Sequence, residues 1–202
     1  MTGLREGSGN AVGESSRGFR VYSDPMNLTF RPAAFEDADA VVLLANSAYR
    51  GESSKKGWTT EADILGGQRT DAGKIREMVG AEKSRIELGF DGEKLVACVH
   101  LKIEADGACY LGMLCVDPLR QAAGLGKLLM THCEELARAW KCPRMRMTVI
   151  DCRTELIAYY ERRGYARTGK IEPFPATDPR FGLPKVSGLR FAELSKPLSA
   201  RP

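Results

Sequence analysis

Apolar and polar positions first alternate in "NLTFRPA", where Leu28 and Phe30 share one face of a strand. The period then changes. "FEDADAVVLLANSAYR" reads as a helix, with acidic residues in its first turn, where they suit the helix dipole. A polar, glycine-rich stretch follows, "GESSKKGWTTEADILGGQRTD", and Thr70 or Asp71 is expected to cap a second helix running to Met78. "SRIELGF" and "KLVACVHLKIE" flank the turn "DGE" and predict a hairpin. "ACYLGMLCVDP" is apolar on both faces, as a buried central strand is. From Leu125 onward, Leu128, Leu129, Leu136, Ala137 and Trp140 fall on one helical face that would pack against a sheet. "RMRMTVI" predicts another strand, and "TELIAYYERR" a helix ended by Gly164 as a left-handed cap. "YARTG" predicts a short strand, "EPFPATDPRFGLPK" a long proline-studded loop, and "GLRFAELSK" a closing strand. Strands mostly paired as hairpins, with helices between some of them, predict a mixed α/β (α+β) sheet. No internal repeat is present.

Residues 1–26 lack this patterning; they are rich in Gly and Ser, so a loose tail is expected there, with one domain over 27–198. The tail has no apolar core of a signal peptide, and Glu6, Glu14 and Asp24 argue against a transit peptide. The chain has 202 residues, 43% apolar and 28% charged, the balance of a soluble globular protein. No apolar run approaches the ~20 residues of a membrane span, so no membrane partner is expected. The net charge of +4 is mild and by itself decides between no partners; no nucleic acid is expected. The six cysteines form no C-x-x-C pair and have no histidine at zinc spacing, which predicts no metal site and a reduced, cytoplasmic setting.

The stretch "RQAAGLGKLLM", Arg120 to Met130, sets two glycines directly before a helix. A glycine turn leading into a helix start makes an anion site, because the first-turn N–H groups are unpaired and the dipole is positive there. A P-loop would need Ser or Thr after Lys127, where Leu128 stands; a dinucleotide fingerprint would need a third glycine, where Leu129 stands. Two readings stay open for the motif alone: a turn that only lets the helix pack, and a turn that a ligand approaches.

"VDPLRQAAGLGKLL" resembles motif A of the GNAT superfamily of N-acetyltransferases, Q/R-x-x-G-x-G/A, with Gln121, Gly124 and Gly126 in place. "ELIAYYERRGYARTG" resembles motif B of the same superfamily, and the order of elements from Leu28 to Lys196 is similar throughout. The resemblance implies a central, mostly antiparallel sheet of six to seven strands, splayed between its fourth and fifth, with about four helices. It implies acetyl-CoA as co-substrate, with the pyrophosphate on Gln121, Ala122, Ala123, Gly124, Leu125, Gly126 and Lys127. The pantetheine arm would lie along Leu114, Cys115 and Val116 as a false extra strand. Arg153 stands where the family often has an asparagine touching the cofactor, and a contact to pantetheine or phosphate is expected of it.

The chemistry so implied is acetyl transfer to a primary amine of a small molecule by direct attack. The alternatives are a protein N-terminal or lysine acetyltransferase, or a non-catalytic acyl-CoA sensor. An ammonium with a pKa of about 10.4 must lose a proton, and the thiolate leaves more easily when protonated. By resemblance Tyr160 is the general acid. The strands "ACYLGMLCV" and "RMRMTVI" hold no carboxylate, so Glu104, His100 and Asp151 are the candidate bases, Glu104 foremost. Trp58, Arg50, Glu61, Phe174 and Phe181 are expected to line the acceptor side. A homodimer is left open.

Overall fold

The computed structural model describes residues 28–178 and 181–198; the expected tail, 1–26, lies outside them. In chain order the elements are β1 (Leu28–Pro32), α1 (Ala38–Tyr49), the single turn α2 (Gly51–Ser54), β2 (Leu65–Gly66), α3 (Ala72–Gly80), β3 (Ser84–Asp91), β4 (Lys94–Ile103) and β5 (Cys109–Val116). There follow α4 (Leu125–Ala139), β6 (Arg144–Ile150), α5 (Thr154–Glu161), β7 (Ala166–Pro173), β8 (Leu183–Pro184) and β9 (Arg190–Pro197). Seven strands form one sheet in the order β1-β3-β4-β5-β6-β9-β7. Every pairing is antiparallel except β5 with β6. Among the described residues five helices accompany the sheet, against about four expected; one of them is the four-residue α2.

The alternation seen along the sequence builds two cores, one on each face of the sheet. Val41, Leu44, Ala45 and Ala48 on α1 and Ile75 on α3 pack with Ile86, Leu88 and Cys98 on one face. Leu125, Leu129, Met130, Cys133 and Ala137 of α4, with Ile157 and Tyr160 of α5, pack with Val99, Leu101, Met145 and Met147 on the other. Burying each large aliphatic side chain stabilises the fold by roughly 1.5–3 kcal/mol. Asp71 caps α3 by accepting from the Lys74 N–H at 2.9 Å, which settles the choice between Thr70 and Asp71.

One irregularity shapes everything that follows. Before Gly112 the odd-numbered residues of β5, Cys109 and Leu111, face α4; after it, Met113 and Cys115 face α1. The change of face occurs at a bulge, where the pairing with β4 jumps from Gly112 to Cys115 and Met113 takes a positive φ of 49°. A second consequence is the splay. β5 pairs with β6 only at Cys109–Met145 and Tyr110–Arg146, and beyond Tyr110 the two strands part. The hydroxyls of Tyr110 and Thr148 join across them at 3.0 Å.

The sequence pattern holds no signal for the two-residue strands β2 and β8, which pair antiparallel. Their neighbours are glycines and a proline, and two residues are too few to alternate. β7 runs past the expected "YARTG" to Pro173, with a register shift between Arg167 and Ile171. Among the described residues no helix is long and apolar enough to cross a membrane.

Candidate active site

Two cavities open in the region of the splay. The smaller, about 200 Å³, is bordered by Gly124 and Gly126, by Val116 on β5, and by Trp58, Tyr159 and Arg163. The larger, about 470 Å³, lies over the bulge and reaches Met147 and Thr148 on β6, Arg69, and Phe181 in the loop before β8. Tyr49, Leu114, Leu156 and Tyr160 border both.

The bulge decides which residues of β5 reach the site. After the change of face, Leu114 and Val116 point to the side of the glycine turn, whereas Cys115 is buried against the α1 core. Of the three residues expected beside a pantetheine arm, two border the smaller cavity with their side chains. The Leu114 carbonyl accepts a hydrogen bond from the Tyr49 hydroxyl at 2.6 Å.

The two glycines meet different needs. Gly124 stands at φ +82°, left-handed, and a Cβ there would meet nothing within 4 Å. Its conformation, not its neighbourhood, asks for glycine. Gly126 lies inside α4, and a Cβ there would come within 2.7 Å of the Tyr159 hydroxyl. The Leu125 and Gly126 N–H groups belong to the first turn of α4, which has no carbonyl partners within the helix. The Leu125 side chain is buried in the core, whereas Lys127 is exposed. Ala122 and Ala123 end the 3-10 turn that precedes Gly124.

Gln121 is fully engaged. Its Oε1 accepts from the Trp58 N–H at 2.9 Å and the Thr59 N–H at 3.3 Å. Its Nε2 donates to Thr59 Oγ1 at 2.7 Å and to the Val116 carbonyl at 3.2 Å. The side chain therefore fastens the Trp58–Thr59 segment to the glycine turn. That segment places Trp58 beside Tyr159, ring centroids 5.1 Å apart, on the wall of the smaller cavity.

Arg153 likewise has protein partners. It donates to Glu61 Oε1 at 3.0 Å and to the Thr59 carbonyl at 2.7 Å, while Arg50 binds the other oxygen of Glu61. Glu61 is thus held between two guanidiniums and joins the loop after α1 to the start of α5. Of the other residues expected on the acceptor side, Phe181 borders the larger cavity, and Phe174 packs in a small cluster with Leu65, Ile150 and Leu189.

The candidate bases are dispersed. Glu104 borders neither cavity; Arg146 binds both its oxygens, with Nε at 2.7 Å, and this ion pair takes it out of the role expected of it. Asp151 pairs with Arg190 at 2.7 Å. His100 does border the larger cavity and bonds the Ser84 hydroxyl at 2.8 Å. Burial, then Lys102 and Arg69, push its pKa down to about 4, so it is neutral at pH 7.

Tyr160 is buried among aromatic and aliphatic neighbours, and its hydroxyl makes no hydrogen bond among the described residues. Burial raises its pKa, with Arg153 acting in the opposite sense, so the phenol is protonated at neutral pH. Arg163, unforeseen from the sequence, lies flat on the Tyr159 ring at 3.4 Å from its centroid. Its Nε is buried without a partner. Among the described residues no group of His, Cys, Asp or Glu could hold a metal ion, and the six cysteines are free, five of them buried.

The model of the acetyltransferase (GNAT) family matches residues 46–165, more than half of the chain. No curated protein sequence matches significantly. Among solved structures, the ribosomal-protein-S18-alanine N-acetyltransferase of Escherichia coli aligns with a TM-score of 0.63 at 17% identity, over 87% of this chain and 96% of that one. An N-acetyltransferase from Staphylococcus aureus aligns with a TM-score of 0.65 at 12% identity, over 85% and 97%. A Salmonella typhimurium structure determined with its cofactor acetyl-CoA aligns with a TM-score of 0.63 at 17% identity, over 87% and 96%. At these identities the likeness is one of fold.

Proposed function

The chain belongs to the acetyltransferase (GNAT) family, and from that premise we propose that it moves an acetyl group from acetyl-CoA to the primary amine of a small molecule by direct attack. One observation carries this reading: Tyr49, Leu114, Leu156 and Tyr160 border both cavities, so a thioester entering from the glycine side and an amine on the other side meet at them.

The residues present fit the cofactor. The open backbone at Gly124, the unpaired first turn of α4 and the cation Arg163 suit a pyrophosphate. The edge of β5 beyond Tyr110 has no β6 partner, which suits an amide-bearing arm beside Leu114 and Val116. When bound, acetyl-CoA supplies an acetyl group already activated as a thioester.

Tyr160 then has one task, to give its proton to the sulfur as the C–S bond breaks and the C–N bond forms. Its position in the shared wall and its unpartnered hydroxyl support that role. The ammonium loses one proton to water before attack. It loses a second as the amide forms, and that proton restores the phenol, so one proton is released per turnover. Water is assigned this part because Glu61 and Glu104 are both held by arginines. The walls that Phe181 and the residues after α1 add to the larger cavity favour a small amine over a peptide chain.

The test is free-thiol release from acetyl-CoA by the purified full chain, across a panel of amines, amino acids, aminoglycosides and peptides. Amine-dependent release is expected. Calorimetric binding of acetyl-CoA with no release from any acceptor would mean an acyl-CoA sensor instead.

A further inference from the structure

Of the two arginines on the wall of the larger cavity, Arg153 is bound by Glu61 and the Thr59 carbonyl. Arg69 is not. Asn46 fixes the backbone there: its Oδ1 accepts from the Arg69 N–H at 2.6 Å, and its Nδ2 donates to the Thr70 carbonyl at 3.1 Å. The guanidinium lies over the Tyr49 ring, 5.4 Å from its centroid, and makes no hydrogen bond or ion pair among the described residues. Beside it, Thr70 belongs to the same wall, and its hydroxyl is buried away from solvent without a partner.

Arg69 is only half-buried, so an acceptor in the cavity can reach its guanidinium. The acid whose charge acts on Arg69, Glu61, is itself bound directly by Arg50 and Arg153. The other charges on the wall are Lys74, Lys102 and Glu77, so cations outnumber acids around the cavity. A guanidinium is a planar fork that matches a carboxylate in shape, and one fork balances one negative charge. Tyr49, under Arg69, also borders the small cavity and bonds Leu114, so an anion on Arg69 sits across Tyr49 from the junction.

We propose that Arg69 holds a carboxylate of the acceptor, and that the acceptor is therefore a free amino acid or an amino-acid-like compound. The inference rests on the acetyl-transfer reading of the same site. The carboxylate end lies on Arg69, the amine is directed toward Tyr160, and Met113, Met147 and Phe181 supply an apolar wall for the side chain. Arg69 selects the acceptor and takes no part in bond making.

The experiment compares matched amines with and without the carboxylate: leucine, its methyl ester and isopentylamine; phenylalanine, its methyl ester and phenethylamine; and equivalent sets for the other amino acids. In the wild-type chain the acid should exceed both partners in kcat/KM by about 10²- to 10⁴-fold in the set that is used, since a site built for a charged group rejects analogues lacking it. Arg69→Gln should raise KM for the acid about 10²-fold, leave kcat within a few-fold, and collapse the preference. Decarboxylated amines or esters that match the acids in wild type would overturn the proposal, whether or not the variant folds. A preference that survives Arg69→Gln in a folded variant would do the same. If no amine releases thiol, calorimetry with the protein saturated in CoA decides: amino-acid binding lost in Arg69→Gln upholds the carboxylate site while acetyl transfer fails, and no amino-acid binding overturns it.

Discussion

Tyr159 and Tyr160 are neighbours on α5 with opposite surroundings. Tyr159 lies under Arg163 and against Trp58, half-buried beside the glycine turn. Tyr160 is buried at the junction of the cavities. Changing Tyr160 to Phe keeps the ring and removes the hydroxyl, which breaks no hydrogen bond among the described residues. Turnover should fall about 10²- to 10⁴-fold, while melting temperature and acetyl-CoA affinity hold. A donor with a more acidic leaving thiol should recover part of the loss. Steady-state kinetics on the two proteins checks this, and equal turnover would leave Tyr160 a packing residue. The position of Tyr160 was legible in the sequence, because motif and helical period agreed on it. The surroundings of Arg153 were not. Its partner Glu61 is 92 residues away in the chain, and no local pattern encodes such a pair.

At the level of elements, the glycine turn and the β5 bulge together form the small cavity. The sequence showed the turn, since two glycines before a helix have few other uses. It hid the bulge. A strand apolar on both faces gives no alternation against which a reversal at Met113 would stand out. The two glycines predict two different failures. Gly124→Ala places a side chain at φ +82°, and stability should drop by about 1–2 kcal/mol in denaturant unfolding, although a Cβ there touches nothing. Gly126→Ala lies in helical backbone, where alanine gains up to about 1 kcal/mol over glycine, so stability should not fall. Acetyl-CoA affinity should fall instead, because the added methyl enters the cavity and displaces the Tyr159 hydroxyl. Adding Tyr159→Phe separates the causes. Recovered binding would mean that the glycine serves the tyrosine; binding still lost would mean that it serves the ligand.

Across the whole molecule, the seven-stranded sheet separates two cores, and the splay opens its middle without exposing either. Hairpins and helical periods gave most of this architecture from sequence. The β2–β8 pair escaped, because two-residue strands far apart in the chain carry no period. The loops they tie together bring Arg69 and Phe181 to the wall of the larger cavity, so part of that wall is built in the least legible part of the chain. Trp58, in the segment fastened by Gln121, borders the smaller cavity, 42% exposed, its ring against Tyr159. The other tryptophan, Trp140, packs against the core at the far end of α4. The molecule therefore carries an optical reporter of its own occupancy. Filling the small cavity withdraws the Trp58 indole from water, so its emission should shift to the blue and saturate with acetyl-CoA concentration. Trp140→Phe should keep the signal and Trp58→Phe should abolish it. An unchanged spectrum of the Trp140→Phe protein at saturating acetyl-CoA would place the ligand elsewhere.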